Sequence, residues 1–483
     1  MNFYFEAAKT LDRLDAKQGS IKGILATLPE KDRKRTAALV IETLKYKYVL
    51  ADIIKEAKLM AEERKKLTSL NLALVLVHDV LLAGGIQAGD GPIKQAVLRH
   101  KTRLHGEFQK LKIKRGATSN LELAQAGDAR AAQIPRYVRV NTTMWSLDDA
   151  VKYFLAQGFS LGAPLESTKA FAQDAHIPNL LLFSPQTTFH ADAAYKSGKL
   201  ILQDKASCFP ALVLAPPARK DAVVIDATAA PGNKTTHLCA LMRNLGKLYA
   251  FERDRKRFGT LTMMLAKAGC KNVEPMNTDF LTVDPLDPKF AKVTHILLDP
   301  SCSGSGIVNR LDHLLETEEE NQEAHDDRLA KLAAFQLMMI KHAMKFPKAS
   351  RIVYSTCSVH ATENERVVRA ALLSDEAVAG AFRLAPREDV LPTWQRRGMP
   401  EETADPDDAA SLIRCSPGED ATNGFFVSCF MRCTAEAKVP NKRKAEAQDE
   451  EEEVQEGAEV AGPPKRKKKK KSKSKQKSVV APS

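Results

Sequence analysis

The spacing of apolar residues along the chain changes near residue 133. From Asn2 to about Ala132, apolar residues recur every three or four positions among Lys, Arg and Glu, as in AALVIETLKYKYVLADIIKEA. This period is typical of amphipathic helices. After Gln133, IPRYVRVNTT alternates polar and apolar residues, the helical pattern SLDDAVKYFLAQGF begins at the cap candidate Ser146, and NLLLFSP is a second strand-like run. The pattern therefore predicts a helical domain over residues 1–132 and a small α+β module over residues 133–204.

The next segment, residues 205–436, alternates short apolar runs with helical patterns. The runs DAVVIDA, GKLYAFE, THILLD and RIVYST are separated by stretches such as RKRFGTLTMMLAKAG. Strands that alternate with helices predict an open, mostly parallel sheet with helices on both faces, a Rossmann-like α/β domain. The run NGFFVSCFMR after Asn423-Gly424 predicts a hairpin-type edge strand.

The last segment, residues 437–483, has few apolar residues. An acidic run from Asp449 to Glu453 precedes PPKRKKKKKSKSKQK, and this composition predicts a disordered basic tail. The cluster from Lys465 to Lys471 indicates a nuclear-localisation signal or a nucleic-acid patch. A solvated tail without a specific role is the alternative.

Charge narrows the class of partner. The formal net charge is +13, which favours a partner with phosphates, either nucleic acid or an acidic membrane face. Arg136 and Arg139 in the first strand of the α+β module could make one of its faces basic. We expect that module to contact RNA, with plain scaffolding as the alternative.

The cysteines and the most apolar stretch indicate a reduced, soluble, intracellular protein without a metal site. The chain has eight cysteines, no C-x-x-C spacing, and no secretory signal in MNFYFEAAKTLDRL. The stretch from Leu72 to Ala83 is too short to span a bilayer and contains His78 and Asp79.

Acidic residues end four of the predicted parallel strands, where such sheets bind ligands. The first strand leads into DATAAPGNKTTH, which has neither the GxGxxG fingerprint nor a complete P-loop. The other three end at Glu252, Asp279 and Asp299, and Glu252 is placed to accept hydrogen bonds from ribose hydroxyls. A nucleoside ligand without a pyrophosphate, such as S-adenosylmethionine, fits this pattern. The alternative is that the acids only cap the following helices.

Two cysteines stand apart from the other six. LLDPSCSGSG and YSTCSVHATENE place Cys302 and Cys357 in small polar turns directly after strand-like runs, whereas structural cysteines usually lie in apolar stretches. Cys415 lies in a polar loop and stays unassigned. The remaining cysteines are predicted core thiols: Cys208, Cys239, Cys270, Cys429 and Cys433. We interpret His237 and His360, which lie beside the motifs, as packing or capping residues.

Together these motifs resemble a known family. DATAAPGNKTTHL, FERD, NTDF, LLDPSCSGSG, YSTCSVHATENE and NGFFVSCF occur in order over roughly residues 134–432. They are similar to the Nol/Nop/Sun-domain RNA cytosine-5 methyltransferases, and most similar to the Sun-domain family member five subgroup, which acts on large-subunit ribosomal RNA. The resemblance implies a Rossmann-like, S-adenosylmethionine-dependent methyltransferase domain. Asn233 and Glu252 stand where many relatives have Gly and Asp, and neither departure puts the cofactor in doubt.

The resemblance implies a role for each motif residue. Cys357 is the expected nucleophile, Cys302 the thiol that assists release of the product, and Asp299 the group at the target base. Lys234 is expected to reach into the site. Independently of the resemblance, a nucleophilic thiol needs local positive potential, from a helix start or from Lys234, to lower the pKa of Cys357. The expected residues of the cofactor site are Ala229, Ala230, Pro231, Gly232, Asn233, Lys234, Thr235, Glu252 at the ribose, Arg257, Asp279 at the adenine, and Asp299.

The expected activity is methylation of carbon 5 of a cytosine in large-subunit ribosomal RNA through a covalent cysteine–cytosine intermediate. The expected partners are RNA or the pre-ribosome, the expected location is the nucleus or nucleolus, and the protein is expected to be monomeric. One alternative is an assembly factor that binds pre-ribosomal RNA without catalysis. The other is a cytosine-5 methyltransferase that acts on transfer RNA.

Overall fold

Helices make up the first part of the computed structural model, which describes residues 1–309, 311–315 and 322–433. Their apolar faces meet in one core that surrounds α6, whose residues from Asn71 to Leu81 are all buried. The apolar stretch that is too short to span a bilayer is therefore a core helix. The helices are α1 (Asn2–Asp15), α2 (Ile21–Ala26), α3 (Arg33–Lys45), α4 (Lys47–Glu56), α5 (Leu59–Glu63), α6 (Leu70–Leu82), α7 (Pro92–Arg99) and α8 (Lys101–Lys114).

A five-stranded sheet forms the α+β module, in the order β2-β3-β4-β1-β5. Alternating residues of its strands pack against Phe154 on the first helix. The side chain of Ser146 accepts a hydrogen bond from the amide of Asp149 at 3.1 Å, which confirms the predicted helix cap. The elements are β1 (Arg136–Val140), α9 (Leu147–Ala156), β2 (Ser160–Leu161), β3 (Ala170–Gln173), β4 (Leu180–Phe183), α10 (Ala193–Lys196) and β5 (Leu200–Leu202).

A second sheet carries the predicted Rossmann-like architecture. Its order is β11-β13-β10-β9-β6-β7-β8, with β12 paired to β13, and the five strands from β10 to β8 are parallel. The elements are α11 (Lys205–Leu214), β6 (Val223–Asp226), α12 (Asn233–Leu241), β7 (Lys247–Phe251), α13 (Arg255–Lys267), β8 (Val273–Met276), β9 (Val293–Leu298), α14 (Gln322–Met344), β10 (Arg351–Thr356), α15 (Glu365–Leu372), α16 (Asp375–Ala379), β11 (Phe382–Leu384), β12 (Ile413–Cys415) and β13 (Phe425–Arg432). The strand order reverses at β6, which lies between β7 and β9, and this is where such sheets bind ligands.

Two expectations from the sequence are wrong. Strand β13 is not an edge strand, because it pairs with β10 on one side and with β11 and β12 on the other. Its buried residues from Phe425 to Phe430 explain this position, since a strand covered on both faces reads as a continuous apolar run. Arg139 does not contribute to a basic face, because its side chain is only 1 % exposed.

Arg139 instead joins the α+β module to α12, the helix that follows β6. Its guanidinium donates to the side chain of Gln203 at 2.7 Å, to the hydroxyl of Thr236 at 2.8 Å and to the carbonyl of Asn233 at 3.2 Å. Burial lowers the pKa of Arg139 to about 10. The alternation of polar and apolar residues in β1 could not show which neighbouring element covers the face that carries Arg139.

Cys208, Cys239 and Cys429 are buried, as predicted for core thiols, whereas Cys270 and Cys433 are half-buried. Cys415 is also buried, in β12. Within the described ranges, no group of three metal-ligating side chains lies together, and no helix has the length and apolarity to cross a membrane. The predicted tail lies outside the described residues.

Candidate active site

A cleft of about 930 Å³ opens at the carboxyl ends of the central parallel strands. Helix α2 contributes Lys22 to its lining and strand β1 contributes Arg136. The residues directly after β7, β9 and β10 also line it, namely Glu252, Asp299 and Cys357. The cleft therefore combines residues that lie more than 300 positions apart in the sequence.

Two cysteine thiols face each other in this cleft. The sulfurs of Cys302 and Cys357 are 3.1 Å apart, and both side chains are half-buried. The hydrogen bond to Cys357 and burial raise the pKa of the Cys302 thiol, and the nearby carboxylates of Glu363 and Asp299 act in the same direction. These surroundings favour the protonated form of Cys302.

A lysine–aspartate ion pair lies beside the thiols. The ammonium of Lys234, in the first turn of α12, is 2.7 Å from Oδ2 of Asp299 and 3.1 Å from the hydroxyl of Ser207. The hydroxyl of Ser355 donates to Oδ1 of Asp299 at 2.7 Å. Burial alone would lower the pKa of Lys234, but the charges of Asp299 and Cys357 outweigh it, so the pKa is raised. A cation held in this way favours negative charge on Cys357.

The Cys302 turn is fixed by a buried carboxylate. Glu363 accepts hydrogen bonds from the amide of Ser303 at 2.9 Å, from the hydroxyl of Ser303 at 2.5 Å and from Gln336 at 2.9 Å. The Glu363 side chain is fully buried, and each donor compensates part of the cost of burying its charge. Glu363 thus sets both the position of the Cys302 turn and its negative surroundings.

The Cys357 turn is fixed by neutral groups. The hydroxyl of Thr356 donates to the side-chain oxygen of Asn364 at 2.6 Å, and the side-chain NH2 of Asn364 donates to the carbonyl of Ser358 at 3.0 Å. The amide of Gly306 donates to the carbonyl of Cys357 at 2.9 Å, which ties the two cysteine turns together.

The cleft also contains hydrogen-bond acceptors that suit a nucleoside. Glu252, 5 % exposed at the end of β7, accepts from the amide of Asp254 at 2.8 Å and lies 3.4 Å from a guanidinium nitrogen of Arg257. Asp279 follows β8 and accepts from the amide of Leu281 at 3.0 Å. Apolar side chains also line the cleft: Phe251, Phe280, Phe335 and Met339.

The structure brings ten of the predicted site residues to the cleft. They are Ala230, Pro231, Asn233, Lys234, Glu252, Arg257, Asp279, Asp299, Cys302 and Cys357. Three others do not line it. Ala229 hydrogen-bonds to the carbonyl of Phe251 in β7. Gly232 has a φ of 113°, and a side chain there would contact Met264 of α13. These two residues therefore shape the motif loop rather than the cleft wall.

Thr235 is the third predicted site residue that does not line the cleft. It is fully buried, and its hydroxyl donates to the carboxylate of Asp226 at 2.8 Å. Burial raises the pKa of Asp226 to about 6, although the hydrogen bonds from Thr235 and from the Thr228 amide act in the opposite direction. This contact fixes the start of α12 to the end of β6 and so helps to place Lys234.

Sequence reasoning missed several residues that support the site. Glu363 and Ser355 are part of the quoted cysteine motif, so a search of that motif for buried hydrogen-bond acceptors could have found them. Ser207 lies in LQDKASCFPALVL, which precedes the first motif. No local signal marks Gln336 or Lys22, because only the tertiary contacts bring them to the site.

Known protein families match most of the chain. The model of the 16S rRNA methyltransferase RsmB/F family matches residues 211–431. Two models of NOL1/NOP2/Sun domain family member 5 match its N-terminal domain at residues 34–124 and its ferredoxin-like domain at residues 134–203.

Individual relatives agree with these models. The chain is 44% identical to the 25S rRNA (cytosine-C(5))-methyltransferase rcm1 of Schizosaccharomyces pombe, over 89% of this chain and 91% of the relative. It is 42% identical to a 28S rRNA (cytosine-C(5))-methyltransferase of Mus musculus, with the same coverage. The crystal structure of PH0851 shares the fold, with a TM-score of 0.56 at 20% identity over 84% of this chain and 91% of that one. The chain therefore belongs to the NOL1/NOP2/Sun domain family, in the member 5 group.

Proposed function

We propose that the protein transfers a methyl group from S-adenosylmethionine to carbon 5 of a cytosine in large-subunit ribosomal RNA. The observation that carries this proposal is the pair of cleft-facing thiols at 3.1 Å beside the Lys234–Asp299 ion pair. A protein that only binds RNA has no chemical need for this arrangement. The names of the relatives favour ribosomal RNA over transfer RNA as the substrate.

Carbon 5 of cytosine needs activation before it can accept a methyl group. In the proposed mechanism the Cys357 thiolate forms a bond to carbon 6, and the electrons of the ring double bond move to carbon 5, which becomes nucleophilic. Covalent catalysis of this kind replaces one difficult step by easier ones. Lys234 supports the step, because its ammonium favours the thiolate before the attack.

In the proposed mechanism Asp299 acts during the attack on the ring, and Cys302 acts during release of the product. Asp299, fixed by Lys234 and Ser355, faces the ring as charge builds on it. After methyl transfer, the carbon 5 proton leaves to solvent, and the electrons of its bond re-form the double bond between carbons 5 and 6. The bond from carbon 6 to sulfur breaks at the same time, and its electrons return to Cys357. The protonated Cys302 thiol then donates to the departing sulfur and stabilises its charge.

The acidic and apolar residues of the cleft fit S-adenosylmethionine. Glu252 and Asp279 offer carboxylate oxygens for ribose and adenine, and the apolar side chains that line the same cleft suit a purine ring and a thioether. When bound, this cofactor supplies an electrophilic methyl group. We propose that Ala230, Pro231, Asn233 and Arg257 complete its site, and that Ala229, Gly232 and Thr235 act by shaping the loop.

The organisation and location of the protein are part of the same proposal. We propose a helical domain, an RNA-contacting module, a catalytic domain and a basic tail, divided near residues 132, 204 and 436. The three family models lie within the first three of these ranges. A ribosomal RNA substrate and the basic cluster at Lys465 to Lys471 support a nuclear or nucleolar location for a monomeric protein.

A denaturing gel of the Cys302→Ala variant tests the covalent mechanism. The variant is incubated with S-adenosylmethionine and ribosomal RNA from cells that lack this activity. We expect a slowly migrating, RNase-sensitive band, because the adduct forms on Cys357 and is not released. Sequencing the attached RNA then identifies the target nucleotide.

The matched variants are Cys302→Ala/Cys357→Ala and Cys270→Ala, which removes a thiol outside the cleft. The double variant should give no band while it still binds S-adenosylmethionine, and Cys270→Ala should release product normally. A band that persists without Cys357 would show that the nucleophile is another residue. No band in Cys302→Ala, with cofactor bound, would favour an RNA-binding role without catalysis.

A further inference from the structure

The positive charge of the chain is unevenly distributed. Residues 1–132 contain 24 Lys and Arg against 15 Asp and Glu, a net charge of +9, whereas residues 133–436 contain 35 against 37, a net charge of −2. Sequence-independent affinity for nucleic acid comes from cations that neutralise phosphates. Residues 133–436, the catalytic segment, have no surplus of cations. Residues 1–132, the helical segment, are therefore the better place for contacts with the phosphate backbone of a nucleic acid.

The helical segment packs directly against part of the catalytic segment. Leu314 is 2 % exposed within the core of α1–α8, and Leu311 and Leu315 pack against that core. These leucines follow the Cys302 turn in the sequence, and α3 contacts the turn that contains Leu314. The helices are thus held beside the loop that carries one of the two thiols.

This packing brings a lysine of the helical segment to the cleft. Lys22 of α2 lines the cleft together with Arg136 of β1, Cys302 and Cys357. Lys22 and Arg136 are exposed, and neither has a carboxylate within 4 Å among the residues that the structure describes. Both cations are therefore available to a negatively charged ligand that enters the cleft.

Further unneutralised cations follow Lys22 along the chain. Many basic side chains of the helical segment form ion pairs, for example Arg99 with Glu63 at 2.8 Å and Arg103 with Glu62 at 2.7 Å. Among the exposed ones that have no such partner within the described ranges, five lie between α2 and the first turn of α3, and we call them the α2–α3 edge. They are Lys22, Lys31, Arg33, Lys34 and Arg35.

We propose that the α2–α3 edge binds backbone phosphates of the RNA strand whose target cytosine enters the cleft. This inference rests on the proposed function, because RNA is the polyanion whose base must reach Cys357. Lys22 provides the contact at the cleft wall, and the other four side chains continue the positive surface along the start of α3. Phosphate contacts set the position of the strand without reading its sequence.

A triple variant tests the edge, Lys22→Ala/Lys31→Ala/Lys34→Ala in the full-length protein. The probe is unmodified large-subunit ribosomal RNA transcribed in vitro. We expect its dissociation constant to rise about tenfold or more at physiological salt, and the slope of log affinity against log salt to fall by about 2 to 3. Affinity for S-adenosylmethionine should not change, since none of the three side chains lies at Glu252 or Asp279.

The matched control is Lys55→Ala/Lys65→Ala/Lys66→Ala, which removes the same charge from exposed positions of the same domain that do not line the cleft. Equal weakening in both variants, or unchanged binding in the edge variant, would overturn the proposal. Failure of the proposed function is a separate result, in which the unsubstituted protein forms no 5-methylcytosine in the transcript. The binding comparison tests the edge in either case.

Discussion

The turns around Cys302 and Cys357 look alike in the sequence but differ in charge. Each follows a buried parallel strand and exposes one thiol to the same cleft. The Cys302 turn is held by the buried carboxylate of Glu363, and the Cys357 turn by the neutral side chain of Asn364. The ammonium of Lys234 acts on Cys357.

This difference gives a physical basis for the separate roles that we propose for two identical groups 3.1 Å apart. Negative surroundings favour the protonated form of Cys302, and a nearby cation favours the thiolate of Cys357. In this proposal, residues outside the two thiols set the division of labour between them. Changing those residues should alter the division while both cysteines remain in place.

Disrupting the link between the two turns should have the largest effect on the methylation rate. In Gly306→Ala, the new methyl carbon would lie 2.3 Å from the carbonyl oxygen of Gly424, so the Cys302 turn must shift away from the start of β13. The hydrogen bond from Gly306 to the carbonyl of Cys357 would weaken. We expect the methylation rate to fall about 100-fold, which a misplacement of about 1 Å can cause.

The measurement is single-turnover methyl incorporation from labelled S-adenosylmethionine. Gly259→Ala is the control, because a side chain at Gly259 on α13 would meet open space. We expect the control to keep full activity. Full activity in Gly306→Ala would mean that the relative position of the turns is unimportant.

Removing the charge of Glu363, which holds the Cys302 turn, should have a smaller effect on the reaction. Glu363→Gln keeps the size of the side chain but removes its charge and replaces one acceptor by a donor. We expect product release to slow about tenfold, with transient accumulation of the RNA adduct, because hydrogen bonds to a charged acceptor contribute roughly 1.5–3 kcal/mol. A time-resolved denaturing gel measures the adduct.

Glu376→Gln provides the comparison, since Glu376 on α16 pairs with Lys341 at 3.2 Å and does not line the cleft. A loss of stability alone would lower the amount of active enzyme without accumulation of the adduct. Unchanged adduct kinetics in Glu363→Gln would show that Glu363 has only a structural role.

The pH dependence of thiol labelling should show the smallest change. Because the pKa of Cys302 is raised, its thiolate forms only at high pH. Between pH 6 and 8 we expect iodoacetamide to label Cys357 first and Cys302 slowly. In Glu363→Gln, the pKa of Cys302 should move down, and its labelling should become a few times faster near pH 8.

Peptide mass spectrometry after timed labelling separates the two sites, and the Cys357→Ala background isolates Cys302. If Cys302 is labelled first in the unsubstituted protein, the assignment of nucleophile and assisting thiol is reversed.

The sequence determined the fold class, and most of the site residues that it predicted line the cleft. Hydrophobic runs and turn residues are local signals, and the ends of parallel strands meet at one edge of a sheet, so Glu252, Asp279 and Asp299 could be assigned to one site. The placement of two thiols directly after strands marked Cys302 and Cys357 in the same way.

Only the tertiary structure decided what surrounds these groups. Arg139 is buried because α12 packs on its strand, and β13 is internal because β11 and β12 pair with it, although neither partner is evident from local periodicity. Lys22 reaches the cleft because Leu314 packs into the helical core. Electrostatic effects and burial depend on distances between residues far apart in the chain, and folding sets those distances.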